Sequence, residues 1–129
     1  MAGLLSAHVP ISSRIANGVV LLESAETATF TEWCEAFKGF LADPDYRPSM
    51  GVIHDWRRLL TAPPSTEIMA RAEYVTEIPA MKGTRWALIV AGTAAYGMGR
   101  MAEILMETSS VELRVFRDMA EAEAWVRGG

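Results

Sequence analysis

The stretch RWALIVAGTAAYGMGRMAEIL, residues 85–105, contains two neighbouring elements from which the fold class can be inferred. Its first part, Arg85–Ala91, is a short run of mainly Ala, Leu, Ile and Val, which predicts a buried strand. Gly92 predicts a turn, and a helix is expected from Thr93 to about Thr108, with Thr93 as its N-cap. A buried strand followed directly by a helix is the unit from which parallel α/β sheets are built.

Inside this helix, Gly97-Met98-Gly99-Arg100-Met101-Ala102 matches the dinucleotide-binding pattern G-x-G-x-x-[G/A]. That pattern binds a pyrophosphate only when its first glycine lies in the turn after the strand, where backbone N–H groups are free. Here the turn is at Gly92, so both glycines fall within the helix and their N–H groups bond to helical carbonyls. A P-loop is excluded as well, because Met98 and Gly99 replace the required Lys and Ser/Thr. We therefore expect no nucleotide and no other cofactor.

The two glycines need another explanation, because each destabilises a helix by about 1 kcal/mol relative to Ala. We interpret them as a close-packing device, in which Gly97 shares the packed face of the helix with Met101, Ile104 and Leu105. The alternative is that they loosen the helix and open a pocket.

On both sides of this unit, strands and helices are predicted to alternate along the chain. Asn17-Gly18 is a strong hairpin signal and predicts two antiparallel strands, Val9–Ile15 and Gly18–Glu23. Two further strands are expected in MGVIHD, residues 50–55, and in VELRVF, residues 111–116.

Helices are predicted between and after these strands. Thr29 and Glu32 form a capping-box pattern ahead of a helix with an aromatic face, and Asp118 opens the last helix. The helix Ser65–Ile78 has Ser65 as its N-cap. The predicted order β-β-α-β-α-β-α-β-α describes one α/β domain over residues 1–129, with a mostly parallel sheet, an antiparallel N-terminal strand and packed helices.

Composition excludes several classes of function. The chain has 12 Lys and Arg against 16 Asp and Glu, a net charge of −4. This balance disfavours sequence-independent binding of nucleic acid, which needs a basic surface to neutralise phosphates, and no nucleic-acid partner is expected. No apolar stretch is long enough to cross a bilayer, so we expect no integral membrane segment. The absence of a signal-peptide pattern and the single Cys34, expected to be buried and inert, favour a cytoplasmic protein. With only His8 and His54 as histidines, no metal site is expected.

Ligands of open α/β sheets bind where the carboxyl ends of parallel strands meet. At these ends the sequence places His54 to Arg58, then Gly92-Thr93, then Arg117-Asp118. In one interpretation Arg57 and Arg58 clamp an anion and Asp55 orients them. In the other, Asp55 accepts loop N–H groups and both arginines are solvated. The candidate ligand or partner site consists of Asp55, Trp56, Arg57, Arg58, Thr93, Tyr96 and Arg100.

No catalytic residue is assigned. His54 and Asp55 are adjacent on a strand and therefore point to opposite faces, so they are not expected to form an acid–base pair. Glu103 and Glu107 with Arg100 are interpreted as a solvated helix face. An enzymatic activity is thus unsupported by the sequence.

Four segments resemble an uncharacterised bacterial family of small STAS-like proteins: NGVVLLE (17–23), LADPDYRPSMGVIHDWRRL (41–59), AYGMGRMAEIL (95–105) and VELRVFRDMAEAEAWV (111–126). This family shares the fold of the sporulation anti-sigma-factor antagonists and is similar to CRAL-TRIO lipid-transfer domains. The resemblance implies a sheet with an antiparallel first strand and packed helices, but no reaction.

The resemblance also directs attention to Ser65. In STAS switch proteins a serine at the start of the helix after the third strand is phosphorylated by a partner kinase. Here Ser65 stands near that helix start, but Pro64 precedes it and Glu67 follows where the pattern has an acidic residue and a glycine. Ser65 is therefore a candidate phosphoacceptor, with a plain N-cap as the favoured interpretation.

Two hypotheses of function follow. The first is a regulatory module that acts through a protein partner or self-association, with Tyr46, Trp56 and Tyr96 as exposed aromatic anchors. The second is a protein that binds a small apolar molecule or a lipid in a pocket between the helix Ser65–Ile78 and the Gly97/Met101 helix.

Overall fold

Five strands and four α-helices alternate along residues 9–128, the part of the chain that the structure, a computed structural model, describes. Their order is the predicted β-β-α-β-α-β-α-β-α, with one short 3₁₀ turn before the fourth strand. The elements are β1 (Ile11–Ala16), β2 (Val19–Ser24), α1 (Phe30–Leu41), β3 (Val52–Asp55), α2 (Ser65–Thr76), the 3₁₀ turn Pro79–Met81, β4 (Arg85–Ile89), α3 (Thr93–Met106), β5 (Glu112–Phe116) and α4 (Met119–Val126). His8, which the sequence analysis considered as a metal ligand, lies outside the described residues.

The strands form one sheet in the order β1-β2-β3-β4-β5. β1 and β2 are antiparallel, and all other neighbours are parallel, as predicted. The hairpin between β1 and β2 turns at Asn17 and Gly18, whose φ angles of 52° and 79° fit the two-residue turn that Asn-Gly favours. Leu22, His54 and Leu88 lie side by side in the register of β2, β3 and β4.

Helices cover both faces of the sheet unequally. Buried side chains of α1 and α2 pack with Val20, Val52 and Trp86 on one face, and α3 packs on the same side against β5. α4 covers the opposite face, where Ala122 and Trp125 pack against the neighbouring strand residues of β2, β3 and β4. The aromatic face predicted for α1 is confirmed, since these helical side chains are buried: Trp33, Phe37 and Phe40.

Of the four predicted helix caps, two are confirmed and two are wrong. Thr29 and Glu32 form the complete capping box of α1, and the Asp118 side chain accepts the N–H of Glu121 at the start of α4. Ser65 and Thr93 are not caps, because Pro64 and Gly92 hold the extended N-cap conformation one residue earlier. Both side chains therefore belong to the first helical position, too far along to accept from the free N–H groups.

The structure separates the roles of the two glycines in α3. Gly99 is the packed one: a Cβ built there would lie 2.7 Å from Val115 Cγ2 and 3.3 Å from Leu88 Cδ2. Gly97 is exposed, with nothing within 4 Å of such a Cβ. The packed face predicted around Gly97 is therefore wrong, and Ile104 on that face is 60% exposed. Gly99, Ala102 and Met106 form the buried face of α3 instead.

We expect Gly97→Ala to raise the free energy of unfolding by about 1 kcal/mol, because Ala is the better helix former at an open site. Gly99→Ala brings the same gain in helix propensity, but its methyl group clashes with the branched Val115 side chain and pushes α3 away from it. Overpacking of this kind costs roughly 1–3 kcal/mol, so the two variants should differ by that amount in urea unfolding. Equal effects of the two substitutions would contradict the packing role of Gly99.

Candidate functional site

Asp55 and Arg57 form a close ion pair at the carboxyl end of β3. Asp55 Oδ1 accepts the Arg57 backbone N–H at 2.9 Å and Nε–H at 3.0 Å, and Oδ2 accepts from Nη2 at 2.8 Å. Partial burial raises the pKa of Asp55, but the hydrogen bonds from Arg57 outweigh burial, so the pKa lies below its usual value. Asp55 thus binds both the loop and one arginine, while Arg58 is exposed. An anion-clamping role for the two arginines stays a prediction.

The remaining candidate residues make separate contacts. The Arg117 guanidinium lies 4.4 Å from the ring centre of Tyr96, and Thr93 is exposed at the start of α3. Arg100 pairs with Glu103 one turn along the same helix. Glu103 is not the solvated residue expected from the sequence, because its side chain is 15% exposed and Oε2 accepts the Val115 backbone N–H at 2.6 Å. It thereby binds an N–H on the outer strand of the sheet.

Trp56 is buried, contrary to the prediction of an exposed aromatic anchor, and only 4% of it is accessible. The cause is backbone register: the Trp56 N–H donates to Ile89 O at 2.8 Å, which continues the β3–β4 ladder by one residue. Side chains two apart on a strand share a face, so Trp56 lies on the same side as His54, with ring centres 5.9 Å apart. Within residues 9–128 its indole Nε1–H has no hydrogen-bond partner.

A cavity of about 50 Å³ lies between α2, α3 and the sheet. It touches the helix that contains Gly97 and Met101, but at Ala102 and Met106 further along, so the pocket foreseen at Gly97 is displaced by more than one turn. Its walls are largely apolar, and two polar side chains, His54 and Arg71, are among the lining residues. The lining residues are Trp33, His54, Trp56, Ile68, Arg71, Ala72, Val75, Trp86, Leu88, Ala102, Met106 and Leu113.

His54 is the first of these polar side chains. It is 2% exposed, and its Nε2 lies 2.9 Å from Ser24 Oγ on the neighbouring strand. Burial, together with the positive charge of Arg71, lowers the pKa of His54 from 6.5 to about 3, although Asp55 opposes this shift. His54 is therefore neutral near pH 7. It faces the helices while Asp55 pairs with Arg57, and the two do not form an acid–base pair.

Arg71 is the second, and the sequence analysis missed it. It is 8% exposed, its Nε donates to Glu67 Oε2 at 2.9 Å, and its guanidinium carbon lies 5.3 Å from the centre of a Trp33 ring. Burial lowers the pKa of Arg71, and the bond to Glu67 opposes that effect. One signal was available: Arg71 follows Ile68 by three residues and precedes Val75 by four, on the inner stripe of α2.

Other expectations concern single residues. Cys34 is buried as predicted, and burial raises the pKa of its thiol. Ser65 is exposed at the first position of α2, and its role as a phosphoacceptor stays a prediction. In the described part of the chain, no three His, Cys, Asp or Glu side chains are grouped as metal ligands. Within the same residues, no helix has the length and apolar character needed to cross a membrane.

Comparison with known proteins identifies a solved structure with a similar fold. No family profile matches the sequence, and neither does any curated protein. The structure is similar to the crystal structure of an uncharacterised DUF3478-family protein with a SpoIIAA-like fold from Shewanella loihica PV-4, with a TM-score of 0.59 and 15% identity. The alignment covers 90% of this chain and 91% of that one. The STAS-like architecture inferred from the four sequence segments is confirmed: this chain has a SpoIIAA-like fold.

Proposed function

We propose that this protein is a non-enzymatic binding module that takes up a small, largely apolar molecule in the cavity between α2, α3 and the sheet. The cavity itself carries this proposal, because apolar side chains of both helices and of the sheet line it.

The size of the cavity supports a small molecule over a lipid. One water needs roughly 10–15 Å³ of volume on this measure, so the cavity of about 50 Å³ has room for only a few heavy atoms. A long acyl chain would require α2 and α3 to separate. Ile68, Val75 and Leu88 offer apolar contact to the ligand instead, as the walls of small-molecule sites generally do.

The polar groups of the cavity support binding rather than catalysis. A general base acts well when its pKa lies near the working pH, whereas the pKa of His54 is about 3. Arg71 offers a positive charge and hydrogen-bond donors, which orient a ligand without accepting a proton from it.

Thermal unfolding with three-carbon probes tests the proposal. We expect at least one of propionate, propionamide and 1-propanol to raise the melting temperature saturably, because a ligand that binds only the folded state stabilises it. Ala102→Leu places a larger side chain in the cavity wall and should abolish the effect. Ala94→Leu, the same change at an exposed position of α3, should leave it intact. If no probe stabilises the wild type, or if Ala102→Leu responds as the wild type does, the proposal is wrong.

A regulatory role through a protein partner or self-association is the second candidate. Leu60 favours it, because this apolar side chain is fully exposed in the loop between β3 and α2, a few residues before Ser65. The aromatic residues expected to anchor a partner give this candidate less support, since Trp56 is buried and the Tyr46 hydroxyl donates to Ala80 O at 3.3 Å. Native mass spectrometry of the same samples separates the two candidates: a specific dimer supports the second, and a monomer with a retained probe supports the first.

A further inference from the structure

We infer that two copies of this chain associate through their β5 strands, which pair antiparallel about a two-fold axis at Leu113 and join the two five-stranded sheets into one. This inference goes beyond the proposed function, does not depend on ligand binding in the cavity, and gives self-association a defined surface. It follows from three features of β5: its open edge, the occupancy of its outward backbone groups, and the order of its charges.

The edge of β5 is accessible to another chain. β5 is an outer strand, with β4 on one side and no strand of the described residues on the other. The Glu112 N–H donates to Thr84 O, so the even-numbered residues of β5 pair with β4. Because backbone groups alternate in direction along a strand, those of Leu113 and its odd-numbered neighbours point outward. A groove of about 400 Å³ lies beside this edge at the end of α3, and Leu113 is part of its wall.

Hydrogen bonds within the chain occupy the N–H groups on both sides of Leu113. The Val115 N–H donates to Glu103 Oε2 at 2.6 Å, and the Val111 N–H donates to Ser109 Oγ at 3.1 Å. The N–H and C=O of Leu113, between them, have no partner within residues 9–128. Side chains that cover the backbone groups of an outer strand limit its pairing with other strands. The edge of β5 is therefore protected on both sides of Leu113 and open at Leu113 itself.

The charges of β5 fit a second copy at this position. In an antiparallel pair centred on Leu113, each copy donates its Leu113 N–H to Leu113 O of the other. Glu112 then lies directly opposite Arg114 of the second copy, and Arg114 lies opposite Glu112. Both side chains are exposed, and in this pairing they point to the same face of the joined sheet. Opposite charges at directly opposed positions stabilise a strand pair, and the two-fold axis forms two such pairs.

Other pairings of the outer strands lack this fit. Moving the axis by two residues along β5 pairs Glu112 with Ser110, or Arg114 with Phe116, instead of with each other. On β1, the other outer strand, Arg14 is the single charged residue, so no axis there pairs opposite charges. The open position of β5 is thus also the position about which its charges are complementary.

Charge reversal tests the arrangement. Glu112→Arg places like charges opposite each other at both pairs, and we expect the dimer to weaken by about tenfold or more. Arg114→Glu should have the same effect. The double variant Glu112→Arg/Arg114→Glu exchanges the two charges, restores their complementarity and should regain most of the lost affinity. Glu35→Arg, the same change at an exposed position of α1, which packs over β1 at the other edge of the sheet, should leave the dimer unchanged.

Sedimentation velocity measures the dissociation constants, and ¹H–¹⁵N NMR of the wild type follows the Leu113 amide as the protein concentration rises. We expect this amide signal to shift downfield and its hydrogen exchange to slow, because the dimer gives the N–H an acceptor. A protein that stays monomeric at millimolar concentration overturns the inference, and so does a dimer in which the Leu113 amide does not respond. A double variant that is as weak as the single ones also contradicts it. The NMR measurement uses the wild type, so it decides even if a variant does not fold.

The outcome is separate from that of the proposed function. The paired charges lie on the α4 face of the sheet, whereas the cavity lies on the face covered by α2 and α3. A dimer that retains a three-carbon probe supports both, and a dimer that binds no probe supports this inference while the cavity proposal fails. A monomer that retains a probe gives the reverse result.

Discussion

Phe37→Ala is expected to lower the free energy of unfolding by about 3–5 kcal/mol, among the largest effects of any single substitution in this chain. Phe37 is 1% exposed and lies at the centre of an aromatic cluster between α1, α2 and the sheet. Its ring centre lies 4.6 to 5.8 Å from those of four neighbours, Trp33, Phe40, Tyr74 and Trp86. Truncation removes these contacts and leaves a void that three elements of structure would have to close.

Phe30→Ala is the matched control, because it deletes the same side chain from the same helix at a half-buried position. Phe30 contacts Trp33 and Tyr74 at about 6 Å between ring centres. We expect it to cost less than half as much, since part of the ring is already in water. Urea unfolding measures both variants, and their free energies of unfolding can be compared directly if their m-values are equal. Equal losses would mean that Phe37 is not the centre of the core.

The second large effect is a loss of stability in mild acid that depends on His54. In the folded protein the pKa of His54 is lowered from 6.5 to about 3, because burial and Arg71 disfavour the charged ring. The unfolded chain therefore binds more protons between these values, and stability falls as pH falls through this range. The contribution is complete above about pH 6.5 and decreases toward pH 3. The expected loss between pH 7 and pH 5 is about 2 kcal/mol.

His54→Gln isolates this effect, because Gln does not titrate and retains a polar group to pair with Ser24. We expect urea unfolding of the variant to show a flatter dependence on pH from 7 to 5 than that of the wild type. The other histidine, His8, is present in both proteins and cancels in the comparison. Parallel pH profiles would show that His54 is already accessible to protons in the folded state.

Secondary structure was predictable from the sequence wherever residues close together in the chain determine the local conformation. The Asn17-Gly18 turn, the Thr29/Glu32 capping box and the Asp118 cap depend on side chains within a few residues of each other. The caps assigned to Ser65 and Thr93 were wrong because the helix boundary shifted by one residue, and a cap functions at one position only.

The candidate site was predicted less well, because its residues meet across elements. Arg57 was placed correctly beside Asp55, since the two are neighbours on one loop. Trp56 was expected in solvent, and only the ladder bond to Ile89 turns it toward the helices. Arg71 lies on the apolar stripe of its helix, where a charged residue is informative only once its surroundings are known.

The order of strands and helices, the antiparallel first strand and the aromatic face of α1 follow from local sequence, because periodicity and turn chemistry act over short distances. Which glycine of α3 is packed, and where the cavity lies, depends instead on contacts between elements that are distant in the chain. Gly99 meets Val115 on the next strand, and the cavity brings His54 and Arg71 together from β3 and α2. These contacts depend on the register of the strands and on the distance between helix and sheet. Both are set only when segments that are distant in the chain pack into one core.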